Sequence, residues 1–144
     1  MTDLIRIAQQ CAFFKIRKAS RVITQIYDHY LKPTGLAPTQ FSLLVALSIW
    51  GPVAVSRLAE ALVMDRTTLS RNLKPLEREG LIQGVPGSDR RTRTLELTPA
   101  GREALEVGIP LWEQAQAHMA RQLGPEAWRR LTQTLDEAVD RLRI

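Results

Sequence analysis

The stretch Asp65-Arg66-Thr67-Thr68-Leu69-Ser70-Arg71-Asn72-Leu73-Lys74-Pro75-Leu76-Glu77-Arg78-Glu79-Gly80 decides how this chain folds. Asp65 is a residue type that caps helix N-termini, and Gly80 is one that ends helices, so the spacing predicts a helix over residues 66–79. Leu69, Leu73 and Leu76 recur at i, i+4 and i+7, which puts them on one stripe to be buried. The exposed side then carries Arg66, Thr67, Thr68, Ser70, Arg71, Lys74 and Arg78. Such a helix is narrow enough to enter a DNA major groove, and its face offers donors for base edges and phosphates. Pro75 interrupts the pattern and predicts a bend in the second half.

Upstream, apolar residues at three- and four-residue spacing (Ala12, Ile16, Ala19, Ile23, Ile26, Tyr30) predict one helix over about 3–32, ended by Pro33, Gly35 and Pro38. A second helix, capped by Thr39, runs to about residue 49, and a short one spans 56–62. Downstream, residues 81–85 and 92–97 read as two strands; Leu95 and Leu97 alternate with Thr94 and Glu96. The loop Pro86-Gly-Ser-Asp-Arg-Arg91 joins them into a hairpin whose tip carries Asp89, Arg90 and Arg91, with Arg93 just after. Thr98-Pro99 starts a long helix to about residue 122, with a kink expected near Gly108-Ile-Pro110. After Gly124-Pro125 a last helix presents Trp128, Leu131, Leu135, Ala138 or Val139, and Leu142 as one stripe. The fold class is therefore mainly α with a small β-hairpin: a winged helix-turn-helix over 36–98, flanked by dimerisation helices over 1–32 and 99–144 of a single 1–144 domain.

Composition agrees. A 44% apolar and 24% charged chain of 144 residues can bury a core and is not of the disordered class. No apolar run approaches the ~20 residues of a membrane span, and no secretory signal opens the chain. A cytoplasmic protein is expected. The net charge is +5, and it is unevenly placed. Six basic and two acidic residues lie in 1–35, and seven basic and three acidic in 66–93. The central excess is where a polyanion footprint belongs.

The strings Leu36-Ala-Pro-Thr-Gln-Phe41, Leu58-Ala59, Asp65-Arg-Thr-Thr-Leu-Ser-Arg71, Leu76-Glu-Arg-Glu-Gly-Leu-Ile82, Asp89-Arg-Arg91 and Leu97-Thr-Pro-Ala-Gly101 resemble the MarR family of bacterial regulators. The resemblance implies a homodimer that sets one recognition helix per subunit into a major groove and the wing into the adjacent minor groove. Residues 66–74 would be the reading face, Arg91 the minor-groove residue, and Asp89 the partner that orients the wing arginines. Gln83, where many relatives carry a basic residue, departs from the pattern. The resemblance also implies control by a small-molecule effector between the dimerisation helices and the winged unit, with Phe14, Trp50 and Trp112 as wall residues.

Dimerisation has a separate argument. A ~30-residue helix is about 45 Å long, whereas a domain of this size has a radius of gyration of only roughly 15 Å. The winged unit cannot cover the apolar stripes of the terminal helices along their length. A twofold dimer would present its recognition helices ~34 Å apart, to a pseudo-palindromic operator of double-stranded DNA.

Cys11 is the single cysteine, and Cys11-Ala-Phe-Phe14 resembles the organic-hydroperoxide-sensing branch of the same family, in which a thiolate near the dimer interface is oxidised. Tyr27 and Tyr30 lie more than four helical turns away, so the branch's tyrosine pattern is not matched. A thiol-based peroxide-sensing repressor is one alternative, and an inert Cys11 filling space is the other. A winged-helix module that binds protein in place of DNA is the runner-up function, and Arg66, Arg71, Lys74, Arg90 and Arg91 speak against it. No His/Asp pair accompanies Cys11, and no phosphate loop or paired-carboxylate motif is visible, so an enzyme is not expected. His29 and His118 stand alone, so neither a metal nor another cofactor is expected.

Overall fold

The computed structural model describes residues 2–86 and 92–144. In chain order the helices are α1 (Thr2–Gln10), α2 (Ala12–Leu31), α3 (Pro38–Trp50), α4 (Val55–Ala61), α5 (Arg66–Arg78), α6 (Pro99–Leu123) and α7 (Pro125–Leu142). The strands are β1 (Val53–Ala54), β2 (Ile82–Gly84) and β3 (Thr94–Leu97), and a 3-10 turn, Lys32–Thr34, follows α2. The architecture is a winged helix-turn-helix carried between N- and C-terminal helices. α2 and α7 both pack on α6, and α3 joins α6 to the winged unit.

The core lies where α3, α4, α5 and the sheet meet. Leu69, Leu73 and Leu76 of α5 are buried, as their spacing predicts, against Leu44 of α3, Leu58 of α4 and Leu95 of β3. Burying each such leucine contributes roughly 1.5–3 kcal/mol relative to leaving it exposed. α5 continues through Pro75 to Arg78, and every residue of the predicted reading face precedes the proline. Likewise α6 continues through Pro110 to Leu123.

Three local expectations are corrected. The first helix is not continuous: it breaks at Cys11, which is extended (φ −66°, ψ 115°) and holds the N-cap position of α2. Leu4, Ile5 and Ile7 of α1 are exposed, so α1 buries little within its own chain. Neither glycine nor proline marks the break, which is why periodicity ran across it. The wing is a three-stranded sheet of order β1-β3-β2, not a two-stranded hairpin. β1 pairs antiparallel with β3 (Val53 with Leu95, Ala54 with Thr94), and a two-residue strand is too short to show any period. Thr39 does not cap α3. The helix starts at Pro38 with Ala37 at the cap, and the Gln40 side-chain oxygen accepts the Ala37 amide hydrogen at 2.9 Å.

The turn between α4 and α5 holds Val63 at φ 53°, the left-handed region that a β-branched residue rarely occupies. Its amide donates to Glu60 O at 3.2 Å and that of Met64 to Ala59 O at 2.9 Å, closing α4. Left-handed backbone costs an L-residue roughly 1–2 kcal/mol that glycine avoids, less the extra chain entropy glycine loses on folding. Val63→Gly should therefore raise unfolding stability by about 1 kcal/mol in a urea titration. A loss of stability would show that Val63 packing outweighs its backbone.

Candidate nucleic-acid interface

The solvent side of α5 forms a shallow groove lined by Arg66, Thr67, Ser70, Arg71 and Lys74. These positions follow one another at i, i+1, i+4, i+5 and i+8, so one helical face carries all five. Three positive charges and two hydroxyls line it, and no carboxylate does. The buried leucine stripe on the opposite side fixes this face outward.

Thr68 plays a different part from the one expected of it. Its amide donates to Asp65 Oδ2 at 2.9 Å and its hydroxyl to Asp65 Oδ1 at 2.6 Å. The Thr68 side chain thus holds the N-cap and does not line the groove. These bonds, the hydroxyl first and the amide second, hold the Asp65 carboxyl below its ordinary value. A carboxyl lowered in the folded state stabilises above its unfolded value and loses that contribution as pH falls through the folded one. The stability difference between wild type and Asp65→Ala should therefore be full at neutral pH and shrink below about pH 4. A difference that stays constant down to pH 2, followed by circular dichroism, would contradict the cap.

Arg93 also differs from expectation. Its guanidinium pairs with Glu77 of α5, and its carbonyl accepts the Val55 amide at 2.9 Å. It ties the base of the wing to α5 and to α4. Gln83 donates to Glu96 across the β2–β3 pair at 3.1 Å, so it braces the sheet. Asp89, Arg90 and Arg91 lie outside the described residues.

A second concavity of about 560 Å³ lies between α2, α3 and α6. Tyr27, Phe41, Ser42, Val45, Leu105 and Trp112 are among its walls, and every lining residue is uncharged. The Tyr27 hydroxyl donates to Gln116 Oε1, joining α2 to α6, and burial holds its pKa above the ordinary tyrosine value. Of the three aromatic residues expected to wall an effector site, only Trp112 lines this cavity. Trp50 closes α3 and lines a separate groove with Pro52 and Arg57, while Phe14 is exposed on α2 in an edge-type contact with Phe13. The structure does not bring the three together within one chain. Sequence reading missed Tyr27, Phe41 and Ser42 because a cavity wall is drawn from helices far apart in sequence. Cys11 is half-buried at the α1–α2 break. Among the described residues no cluster of His, Cys, Asp or Glu could hold a metal, and no helix is long and apolar enough to cross a membrane.

Fold and groove together define a winged helix-turn-helix DNA-binding protein of the transcription-regulator class. The family model described as MarR family matches residues 36–92. The M. tuberculosis transcriptional regulator MosR, solved in complex with DNA, is 39% identical, with 94% of this chain and 100% of that one covered and a TM-score of 0.78. An HTH-type transcriptional regulator of Bacillus cereus is 35% identical over 86 residues, 60% of this chain and 57% of the relative. The chain thus spans little more than half the length of that Bacillus relative. The repressor CouR, solved on a 23-mer DNA duplex, is 24% identical, with 92% of this chain and 95% of that one covered and a TM-score of 0.82; it supports the fold alone. The chain belongs to the MarR family.

Proposed function

We propose that the protein is a homodimeric, sequence-specific transcriptional repressor of a pseudo-palindromic operator, released when a small molecule occupies the α2–α3–α6 cavity. The observation that carries the DNA part is the carboxylate-free groove of Arg66, Thr67, Ser70, Arg71 and Lys74 on the outward face of α5. Residues 36–98 form the DNA-binding part in this reading, and 1–32 with 99–144 the dimerisation helices. The wing arginines Arg90 and Arg91 reach the minor groove, oriented by Asp89. Dimerisation is supported by α7, which has no buried residue although Leu135, Val139 and Leu142 stand along one side of it. Phe13, Phe14, Ile16 and Val22 are similarly exposed on α2. Two such stripes closing on a second copy remove a large apolar area from water.

The test is transcription from the chain's own upstream promoter in a purified system, with mass measured by light scattering. A particle of twice the chain mass that lowers transcript yield supports the reading. A monomer, or a dimer without effect on transcription, counts against it, and a protein-interaction module then takes its place. The second reading, a peroxide-sensing repressor, is favoured by the helix break that leaves the half-buried Cys11 at the start of α2. Peroxide should then release DNA from the wild type and not from Cys11→Ser.

A further inference from the structure

Arg93 is held by its side chain and by its backbone at once. The guanidinium pairs with Glu77 in the last turn of α5, and the carbonyl accepts the amide of Val55, the first residue of α4. An ion pair between two solvated side chains contributes little. Here the Glu77 side chain is only 29% exposed, and its Oε1, the atom that meets Arg93, is closed off from water. Such a pair is screened less by solvent and salt than an open one.

The position of Arg93 gives the pair its consequence. Sheet pairing places β3 between β1 and β2, and it ends at Thr94 on the β1 side. Arg93 is the next residue out, so its two attachments set the direction in which the chain leaves the sheet. The partner strand follows, because the Val85 amide donates to Thr94 O at 2.9 Å and Gln83 donates to Glu96 at 3.1 Å. One residue at the foot of the wing therefore fixes it to both helices of the helix-turn-helix. A helix in one groove and a wing in the next must meet a duplex at a separation that the DNA sets. A loose joint between them has to be ordered on binding, and that ordering weakens the complex.

We propose that Arg93 is a positioning residue and not a DNA contact: its pair with Glu77 locks the wing to α5, so that base pairs flanking the half-site are selected through the wing's placement. The proposal rests on the reading that α5 and the wing bind DNA together. A·T-rich flanks, with their narrow minor groove, are the sequences such a wing favours. The opposite assignment carries the opposite sign. Were Arg93 to touch a phosphate, Glu77 would compete with DNA for it, and neutralising Glu77 would tighten binding.

The experiment is a salt series of anisotropy titrations of the full chain on the pseudo-palindrome upstream of its own gene, built with A·T or with G·C flanks outside the half-sites. Wild type should favour the A·T flanks by roughly tenfold. Glu77→Gln and Arg93→Met should each cut that preference to about threefold or less and leave the log–log salt slope within about half a unit of wild type. The double variant should lose no more than either single one, because both remove the same interaction. Arg93→Lys, which keeps the charge, should retain more of the preference than Arg93→Met. Tighter binding in Glu77→Gln, or a slope lower by about one in Arg93→Met, makes Arg93 a DNA contact and overturns the proposal. Equal losses on both flanks, or a wild type indifferent to them, overturn it while DNA binding by α5 stands. Failure to select the palindrome at all overturns the underlying DNA reading. Amide exchange tests the clamp apart from DNA: Val55 should exchange roughly fivefold faster in Arg93→Met, with folding checked by circular dichroism. An unchanged Val55 rate overturns the clamp whatever the DNA result.

Discussion

Gly101→Ala should destabilise the protein by about 3 kcal/mol, a large part of the stability of a domain of this size. Gly101 sits in the first turn of α6, where a Cβ would stand 2.1 Å from the Leu81 carbonyl oxygen and 3.1 Å from its carbon. Both are backbone atoms, so neither can rotate aside. The same carbonyl accepts the Thr98 amide at 3.1 Å, and Thr98 in turn caps α6 by accepting the Gly101 amide. The Thr98 hydroxyl donates to Gly80 O at 2.6 Å. Relieving the clash must therefore move the end of α5, the start of β2 and the start of α6 relative to one another. Alanine gains about 1 kcal/mol over glycine in a helix interior, which sets the sign of the alternative. Chemical denaturation decides. A loss of about 3 kcal/mol fits the close approach, and a gain near the helix-propensity value contradicts it.

Arg66→Ala combined with Arg71→Ala should weaken operator binding roughly 100-fold or more, since each base or phosphate contact of this type is worth about 1–3 kcal/mol. Both guanidinium groups lie on the groove face of α5, and neither is held by a carboxylate in an ion pair among the described residues. If both charges meet phosphates, removing them should also lower the log–log salt slope by about two. Arg102→Ala, an exposed change on α6, should leave affinity and slope unchanged. Equal losses in Arg102→Ala would mean that net charge, and not this face, drives binding.

The two effects separate what the sequence exposes from what it conceals. The leucines of α5 and the alternation of Leu95 with Leu97 are local patterns, and both became core as their periods required. The outward basic face of α5 followed from the same pattern, because fixing the buried stripe fixes its opposite. Thr98, Pro99 and Gly101 were visible as a motif, but the reason for the glycine, a carbonyl 20 positions earlier, is a tertiary fact. The roles of Thr68 and Arg93 were hidden for a similar reason. A threonine three residues after an aspartate serves a cap or a groove depending on its rotamer, and Arg93 finds Glu77 only once the wing folds back. The break at Cys11 carries no glycine or proline, and β1 is too short to announce itself. The cavity was least legible, since Tyr27 and its partner Gln116 stand 89 positions apart.

The proposed function requires dimeric, sequence-selective DNA binding through α5. The most direct test is a salt series of anisotropy titrations on the pseudo-palindrome upstream of the chain's own gene and on a scrambled duplex of equal length. It should show saturation at two protomers per duplex, affinity for the palindrome at least roughly 1,000-fold above the scrambled control, and a steep fall with salt. Equal affinity for the two duplexes, or no binding to either at 50 mM salt, would contradict it.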